Sequence, residues 1–556
     1  MPIPPPDSYL DRMRDFTLLE SVLLFNRGIS NPDQASSFIL CADSLQDSPF
    51  LLPDMERALS RVHRALRSNE RIAVYGDFDA DGVCGTVVLV EGIRHLGGRV
   101  IPYIPHRFTE ERGLSMLALE RLLNQGVTLL ITVDCGVGSV SEIELIQKKG
   151  MDVIVTDHHQ PSLLLPPALA VVNPCRSDVH DPYPFHFLCG AGVAYKLMQA
   201  LFDVMGSDDY LGYLVDLVAV ATVADMVPLI GENRYLVTKG LRALNETTRL
   251  GLREMMRLSG CDQGKVDESK VAWLIGPRLN APGRIDYAMS SYAVLTSTSS
   301  SEAARLALEL ERINSERQKL TEETLNKVKE QIISEDLDCP LLMVGGEDYH
   351  PGIVGLVAGR LVEERYRPTV VLTLGEDVSQ GSARSISGFD IKQTLDSCSD
   401  LLLRYGGHPR AAGFTVPTTN VPALRERLIE IAKDRLSDID LQPYLNIDVE
   451  LGLHDLTSAT FKTIQRLAPF GQDNPKPVLY SKGVRVMNCR GVGVNQDHLK
   501  LELVQGGEVR MAIGFGLGKR ISEVNSNIDI AYHLVENHWN GQEMLELSLL
   551  DFAAAS

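Results

Sequence analysis

Residues 71–82, RIAVYGDFDADG, join a short apolar run directly to three aspartates, and this combination decides the fold. Three further runs have the same character: TLLITVD at 128–134, MDVIVTD at 151–157 and ALAVVNP at 168–174. Each is rich in β-branched residues, is too short for a buried helix and ends at a polar or turn residue, which predicts a strand. Helical segments separate these runs, so we expect an α/β fold with a parallel sheet covered on both faces.

Three of the four predicted strands end in an aspartate, namely Asp77, Asp134 and Asp157. Ligands of open parallel sheets bind beyond the carboxyl ends of the strands, where these side chains lie. The carboxylates of Asp77, Asp79 and Asp81 repel one another unless cations neutralise them, so a metal site is the simplest explanation. A solvated, Asp-rich turn is the alternative. An EF-hand calcium loop is rejected, because its twelfth position requires a glutamate that this segment lacks.

A second polar segment, TDHHQ at 156–160, brings His158 and His159 to the end of the third predicted strand. A single histidine is usually a core or surface residue, whereas two adjacent histidines after an aspartate are rarer. Asp225, in ATVADMVPL, follows an apolar run and has the character of a strand or helix tip. Imidazole suits Mn, Zn and Fe, and carboxylate suits Mg and Mn, so the mixed set favours Mn²⁺ or Mg²⁺.

The charges of these side chains indicate the number of ions. Two divalent cations balance four carboxylates, and two ions about 3.5–4 Å apart promote in-line attack on a phosphoryl centre. The four carboxylates are those of Asp79, Asp81, Asp134 and Asp225. The sequence has no Walker A loop and no G-x-S-x-G elbow, which argues against ATP-driven and serine-nucleophile chemistry.

Basic residues in turn-forming segments are candidates for contacts to a phosphate substrate. In a Gly-rich turn, backbone N–H groups and a guanidinium can both approach phosphate closely. Taken singly, each is as easily an ordinary surface side chain. The candidates are Arg107, Arg278, Arg284, Arg384, His408 and Arg410.

The rest of the chain divides into segments of different pattern. Apolar residues recur at helical spacing from 299 to about 335, which predicts a long helix that connects two domains or packs on the first one. CPLLMVGG and RPTVVLTLG predict a second, smaller α/β domain, and later alternating stretches such as HLKLELVQ predict an OB-like all-β barrel. The predicted units are an N-terminal extension at 1–50, the first α/β domain at 51–298, the connecting helix at 299–335, the second domain at 336–440 and the barrel at 441–556.

Composition excludes several classes of protein. The chain has 556 residues and a formal net charge of −19, which argues against a histone-like or coat protein but allows a locally basic channel. Nine cysteines without a C-x-x-C pair argue against a zinc ribbon and fit a reducing compartment. We recognise no signal peptide in MPIPPPDSYLDRMRDF and no long apolar run, so the sequence predicts a cytoplasmic protein without a membrane segment.

The motifs carry a family resemblance. GDFDADG, VDCG, TDHH and VADMVPL, in this order, resemble the four motifs of the DHH phosphoesterase superfamily, and GGHPRAAG resembles the signature of its DHHA1 domain. LCGAGVAYKL, GPRLNAPGR, YHPGIVGLVAGRL and LAPFGQDNPKPVL narrow the resemblance to RecJ, a family of single-strand-specific 5′→3′ DNA exonucleases. The resemblance covers about residues 50–556 and implies a DHH domain, a DHHA1 domain and an OB-like barrel. It further implies release of nucleoside 5′-monophosphates, in DNA repair and recombination.

The resemblance also implies roles for individual residues. His158 would contact the scissile phosphate and Asp157 would orient the histidines. Many relatives have a histidine where this chain has Tyr75, so Asp77 or water would complete the first metal site. The implied ligands of two Mn²⁺ or Mg²⁺ ions are Asp79, Asp81, Asp134 as the bridge, His159 and Asp225. The implied DNA contacts are Arg107, Arg284 and Ser385 near the 5′ end, and Arg384 and His408 from the second domain.

The expected partner is single-stranded DNA, with a RecQ-type helicase and a single-stranded-DNA-binding protein as assisting proteins implied by the resemblance. Two other functions stay open. One is a phosphodiesterase of the same superfamily that acts on cyclic dinucleotides or short oligonucleotides, against which the length and the barrel argue. The other is a DNA-binding scaffold that has lost its metals, against which the complete set of aspartates and histidines argues.

Overall fold

The structure is a computed structural model that describes residues 4–110, 113–207, 210–334, 339–438, 440–539 and 542–555. The chain begins with four helices ahead of its first strand: α1 (Asp7–Arg12), α2 (Leu18–Phe25), α3 (Pro32–Leu40) and α4 (Met55–Arg67). Thr17 forms a capping box with Glu20 at the start of α2, and the Asn31 side chain caps α3, so local hydrogen bonds define both helix starts.

The first sheet has five parallel strands in the order β2-β1-β3-β4-β5, as the alternating pattern predicts. The strands are β1 (Arg71–Gly76), β2 (Arg99–Tyr103), β3 (Val127–Val133), β4 (Asp152–Thr156) and β5 (Ala170–Val172). The helices that cover them are α5 (Ala80–His95), α6 (Met116–Asn124), α7 (Val140–Lys148) and α8 (Gly190–Met205). Alternate residues of β1 enter different cores: Ile72 and Val74 pack with α5 and α8, and Ala73 and Tyr75 pack with α6 and α7.

A helical layer follows this sheet. It contains α9 (Leu211–Ala224), α10 (Gly231–Asn245), α11 (Leu250–Leu258), α12 (Glu268–Lys270), α13 (Gly276–Ile285) and α14 (Met289–Thr296). A π-helical turn, Val271–Ile275, joins α12 to α13. Asp225 directly follows α9, so the polar tip seen in the sequence is the end of a helix.

Helix α15 (Ser300–Ser334) is the predicted long helix, and its length of 35 residues corresponds to about 50 Å. Leu306 and Leu310 belong to the core of the first domain, whereas Leu325 and Val328 pack under the second sheet. The helix is therefore shared by two cores. Residue 335, the expected last residue of this helix, lies outside the described residues.

The second sheet is mixed, with the order β6-β7-β8-β10-β9, and only its β6–β7 pair is parallel. Its strands are β6 (Leu342–Gly346), β7 (Thr369–Thr373), β8 (Val378–Arg384), β9 (Arg404–His408) and β10 (Ala411–Pro417). Its helices are α16 (Val354–Arg365), α17 (Ile391–Asp396) and α18 (Val421–Leu436).

The C-terminal region forms a closed five-stranded barrel, because β12 pairs with both β13 and β15. Its elements are β11 (Val449–Glu450), α19 (Ser458–Gln465), β12 (Leu479–Val492), β13 (His498–Gln505), β14 (Glu508–Gly514), β15 (Asn527–Trp539) and β16 (Gln542–Ala554). Met13, Leu23 and Leu24 of the N-terminal helices share one core with Leu501 and Tyr532 of the barrel. The N-terminal helices thus cover the barrel. Within the ranges described, no helix is both long and apolar enough to cross a bilayer.

Candidate active site

The loop after β1 carries the first three aspartates to the edge of the sheet. The backbone N–H of Asp77 bonds the carbonyl of Val133, which fixes the loop to the end of β3. Asp79 is the N-cap of α5, and its Oδ1 accepts from the N–H groups of Asp81 and Gly82. The segment therefore leaves a strand and enters a helix within three residues, and this sharp change brings its carboxylates together.

Asp81 is fixed by a second helix N-terminus. Its two carboxylate oxygens accept from the backbone N–H groups of Gly190 (2.6 Å) and Ala191 (2.7 Å), at the start of α8. These charge-assisted bonds satisfy N–H groups that a helix leaves unpaired in its first turn. Gly190 and Ala191, more than 100 positions away in the sequence, thereby set the orientation of the Asp81 side chain.

Asp134 follows β3 and adopts a left-handed backbone conformation, with φ of 59°. Aspartate and asparagine tolerate this region better than other residues with a Cβ. Its N–H bonds the carbonyl of Thr156 at 3.1 Å, and its side chain is buried. The turn aims the carboxylate at the loop after β1 and at the histidines after β4.

The histidine pair is oriented by Asp157. One carboxylate oxygen of Asp157 accepts from the N–H of His158 (2.8 Å), from the N–H of His159 (3.1 Å) and from His159 Nδ1 (2.8 Å). The other accepts from the N–H of Val137. As a result, His158 Nε2 lies 3.1 Å from Oδ1 of Asp134, whereas His159 Nδ1 lies 3.8 Å from that atom.

The side chains form three overlapping groups, and in each group the possible ligand atoms lie within 4.8 Å of one another. Asp134 belongs to two of the groups, so it lies between two candidate ion positions. The groups are Asp77–Asp79–Asp134, Asp81–His158–Asp225 and Asp134–His158–His159. Oxygen and imidazole ligands in this ratio fit Mn²⁺ or Mg²⁺.

The electrostatics of this acidic cluster also favour cations. Burial, followed by the charges of neighbouring aspartates, raises the pKa of Asp134 and Asp225 well above the usual value. Burial and the charge of Asp79 raise the pKa of Asp77 to about 7. Burial alone would also raise the pKa of Asp157, but its bonds to His159 and Val137 lower it. The raised pKa values show that negative charge on these crowded carboxyls is unfavourable without a counter-ion, and bound divalent cations would offset that cost.

A cluster of arginines lies within electrostatic reach of the aspartate loop. Burial, together with the nearby positive charges of Arg107, Arg317 and Arg384, lowers the pKa of Arg284 to about 10. Arg284 comes from α13, Arg317 from the long helix and Arg384 from the end of β8. Three separate elements thus concentrate positive charge where an anion can neutralise it.

The two α/β domains meet at this arginine cluster. Nη1 of Arg284 is 3.5 Å from the carbonyl oxygen of Gly352, and a Cβ at Gly352 would lie only 1.7 Å from the carbonyl oxygen of Arg284. Only glycine allows the loop before α16 to approach this closely. Burial and the charge of His159 lower the pKa of His408, so β9 ends within electrostatic reach of the histidine pair.

Two of the predicted substrate contacts, Arg278 and Ser385, have hydrogen-bond partners within the protein. Nε of Arg278 donates to Glu311 on the long helix at 2.5 Å, and its Nη1 donates to the carbonyl of Leu274. The hydroxyl of Ser385 is buried and donates to the carbonyl of Phe389 at 2.6 Å. Arg107 lies with its guanidinium 4.8 Å from the centre of the Phe78 ring, beside the aspartate loop.

Tyr75 does not face the acidic cluster. It is buried on the face of the sheet that packs with α6 and α7, where its hydroxyl donates to the carbonyl of Gly113 and accepts from the N–H of Ser115. Its ring stacks on Tyr103, with centroids 5.1 Å apart. Burial raises the pKa of Tyr75, which keeps its hydroxyl protonated.

Sequence reasoning missed two residues near the site. Arg317 looks like an ordinary charged residue of an amphipathic helix, and only the packing of that helix reveals its proximity to Arg284. Asn280 accepts from the N–H of Ala80 at 2.8 Å and so links α13 to the aspartate loop. The sequence offered one indication of this role, because Asn280 lies inside the family motif GPRLNAPGR.

Comparisons with known proteins match all three domains of the chain. The DHH family, N-terminal domain, matches residues 71–222, the DHHA1 domain matches 332–434 and the RecJ OB domain matches 447–551. The single-stranded-DNA-specific exonuclease RecJ of Bacillus subtilis (strain 168) is 37% identical over 543 residues, which are 97% of this chain and 68% of that protein.

Solved structures give the same result. The crystal structure of RecJ in complex with Mn²⁺ from Thermus thermophilus is 30% identical, with a TM-score of 0.86 over 99% of this chain and 78% of that chain. The Mg²⁺ complex from the same organism is 29% identical, with a TM-score of 0.79 over 99% of this chain and 77% of that one. The fold class predicted from the sequence is therefore confirmed, and the chain belongs to the RecJ family.

Proposed function

We propose that this protein is a metal-dependent exonuclease that degrades single-stranded DNA from its 5′ end to nucleoside 5′-monophosphates. The observation that carries the proposal is the position of Asp134, which belongs to two groups of candidate metal ligands. The names of the curated relatives, which describe single-stranded-DNA-specific exonucleases, and the metal-bound RecJ structures support the same activity.

We assign two divalent cations, Mn²⁺ or Mg²⁺, to the acidic cluster. Asp77, Asp79 and Asp134 would hold one ion, and Asp81, His158, Asp225 and Asp134 would hold the other. When bound, two such ions activate water and stabilise the charges of the attacking and leaving oxygens. Asp81 is already fixed by two backbone N–H groups, so little reorganisation is needed on binding.

The two histidines receive different roles in this proposal. His158 is the better ligand, because its Nε2 lies within 3.8 Å of carboxylate oxygens of Asp81, Asp134 and Asp225. His159 is more exposed, and although burial lowers its pKa, the hydrogen bond and charge of Asp157 raise the pKa to about 9. In this proposal His159, held by Asp157 and outside the two ligand sets, would donate to the scissile phosphate. This assignment exchanges the roles that the family resemblance implied.

The arginine cluster would determine the polarity of the reaction. A terminal 5′-phosphate carries more charge than an internal one, and guanidinium groups bind it through two parallel hydrogen bonds. Arg107, Arg284 and Arg384 provide such groups opposite the acidic cluster, and His408 would close over the strand from the second domain. A strand that enters with its 5′ end first then places its first phosphodiester at the metal ligands.

The remaining expectations belong to this proposal as well. They include the domain limits at 50, 298, 335 and 440, of which 335 lies outside the described residues, and strand binding by the barrel. A role in repair and recombination, residence in the cytoplasm, and assistance by a RecQ-type helicase and a single-stranded-DNA-binding protein follow from the family resemblance.

One digestion experiment tests the proposal. An oligonucleotide labelled at either end is incubated in single- and double-stranded form with Mn²⁺, Mg²⁺ or EDTA. Mononucleotides released only from the 5′ end of the single strand, and only with metal, are the expected result. Binding without cleavage would favour a scaffold. Neither binding nor cleavage of either form would favour a small-substrate phosphodiesterase, which a digestion of cyclic dinucleotides would then test.

A further inference from the structure

Residues 467–476, LAPFGQDNPK, connect α19 to the barrel strand β12 and contain a tight turn at 471–474. This segment, called the turn below, contacts the loop that follows Asp225. The N–H of Leu229 donates to the carbonyl of Gln472 at 2.8 Å. Leu229 is buried, and a Cβ at Gly471 would lie 2.7 Å from its Cδ1 atom. The turn therefore packs directly on residue 229, four positions after a proposed metal ligand.

The backbone of the loop between Asp225 and Leu229 has little conformational freedom. Met226 adopts a left-handed conformation with φ of 59°, and Pro228 has a fixed φ. The carbonyl of Pro228 accepts from the buried Asn233 side chain at 3.0 Å. The backbone between Leu229 and Asp225 is therefore constrained, which is the route by which a displacement of Leu229 would reach Asp225.

The turn itself is held firmly by buried polar groups. The Asn474 side chain is fully buried; its Nδ2 donates to the carbonyls of Leu467 and Pro469, and its Oδ1 accepts from Arg27 Nε at 2.7 Å. Arg234, one turn into α10, donates to the carbonyl of Leu467 at 2.8 Å. The turn is connected in this way to the N-terminal helices, the first domain and the barrel together.

We propose that residues 467–476 position Asp225, and that the contact of Gly471 with Leu229 sets the distance of Asp225 from the other metal ligands. The barrel side of the molecule then controls metal affinity. This inference rests on the proposed function, because it assumes that Asp225 binds an ion. It assigns to the turn a positioning role and no contact with substrate. By linkage, metal binding must in turn stabilise the turn.

The first test is calorimetric titration of the metal-stripped full-length protein with Mn²⁺. In Gly471→Ala the new Cβ would lie 2.7 Å from Cδ1 and 3.0 Å from Cγ of the buried Leu229 side chain, which must therefore shift. We expect this variant to bind one ion about tenfold more weakly, as changes behind a metal ligand commonly do. The matched control is Gly359→Ala in α16, where a Cβ meets no atom within 4 Å. Unchanged Mn²⁺ affinity of Gly471→Ala would overturn the inference, and so would a loss that only parallels a lowered Tm.

The second test uses the wild-type protein and does not depend on the folding of a variant. Hydrogen exchange is measured with and without Mn²⁺, and we expect Mn²⁺ to slow exchange in residues 467–476 but not in α18. Equal exchange of the turn in both conditions contradicts the inference. If wild-type protein binds no Mn²⁺ at all, the proposed function fails; if it binds two ions and neither test responds, only the positioning role fails.

Discussion

The Nε2 atom of His158 lies 3.1 Å from Oδ1 of Asp134, the carboxylate shared by two candidate metal groups. The neighbouring His159 instead directs Nδ1 to Asp157 at 2.8 Å. Adjacent residues of one type therefore have different surroundings, and their functions can be separated by substitution.

We expect His158→Ala to remove one Mn²⁺ from the protein, because it deletes the nitrogen closest to three carboxylates. His159→Ala should keep both ions and lower kcat by about a hundredfold, the contribution typical of a proton donor. Calorimetry counts the ions and single-turnover digestion gives the rate. Loss of an ion in His159→Ala, with both ions present in His158→Ala, would reverse the assignment.

Asp134→Asn is expected to lower activity by more than about a hundredfold and to abolish tight Mn²⁺ binding, since changes behind a ligand already cost 10- to 100-fold. Asparagine is preferable to alanine here, because it tolerates the left-handed backbone of residue 134. The control is Asp203→Asn, which changes the same charge at an exposed position of α8. Equal activities of the two variants would contradict the shared-ligand role.

Arg284 and Arg278 lie on the same helix and should respond differently to alanine. Arg284→Ala should raise KM for a 5′-phosphorylated oligonucleotide about tenfold and leave a 5′-hydroxyl substrate nearly unaffected, as expected for the loss of one charge-assisted bond. Arg278→Ala loses its pair with Glu311, so it should lower Tm without changing the preference for phosphate. The same KM effect in both variants would mean that the cluster acts only through net charge.

Tyr75→Phe should leave Mn²⁺ affinity unchanged, because the hydroxyl bonds Gly113 and Ser115 on the face of the sheet that packs with α6 and α7. The lost bonds should reduce the free energy of unfolding by about 1 kcal/mol. Urea denaturation and calorimetry measure the two quantities. A clear drop in metal affinity would show that residue 75 acts on the site despite its position.

The contribution of Asp54 to the stability of the folded protein is expected to depend on pH. Burial alone would raise its pKa, but hydrogen bonds from the Val171 N–H and from Arg176 lower it below the usual value. Its stabilising effect is therefore present above the pKa of the unfolded chain, near 4, and is lost as the pH falls through the lower folded value.

We expect Asp54→Asn to lower the free energy of unfolding by about 2 kcal/mol at pH 7 and by progressively less below about pH 4. Urea denaturation at a series of pH values measures the difference from wild type. A difference that stays constant down to pH 3 would show that the Asp54 charge is not responsible.

Much of the fold could be predicted because β1, β3 and β4 are continuous apolar runs that end in aspartate. Strand β2 was missed because it is short, lies at the edge and contains Pro102. Strands β8, β9 and β10 were missed because they are half polar and rich in glycine, a pattern that resembles loops. Their pairing depends on neighbours that a local reading of the sequence cannot supply.

In the site, too, features encoded locally in the sequence could be predicted, and contacts between distant parts of the chain could not. The aspartates and histidines could be found because their strands end at one edge of a sheet. The distant partner of Asp81 could not, since it lies at the start of α8. The orientation of His159 by Asp157, two residues away, was already implied by the family resemblance. The substrate contacts predicted for Arg278 and Ser385 stay predictions; the hydrogen bonds of these side chains to Glu311 and Phe389 depend on folding and could not be found in the sequence.

The core shared by the N-terminal helices and the barrel has a consequence for biosynthesis. Met13, Leu23 and Leu24 are made early, whereas Leu501 and Tyr532, against which they pack, leave the ribosome near the end of synthesis. Until the barrel is made, these apolar side chains lack the barrel part of their native packing, and exposed apolar surface of this kind favours aggregation. A chain that ends before the barrel therefore leaves these side chains without the contacts to Leu501 and Tyr532 that complete their core.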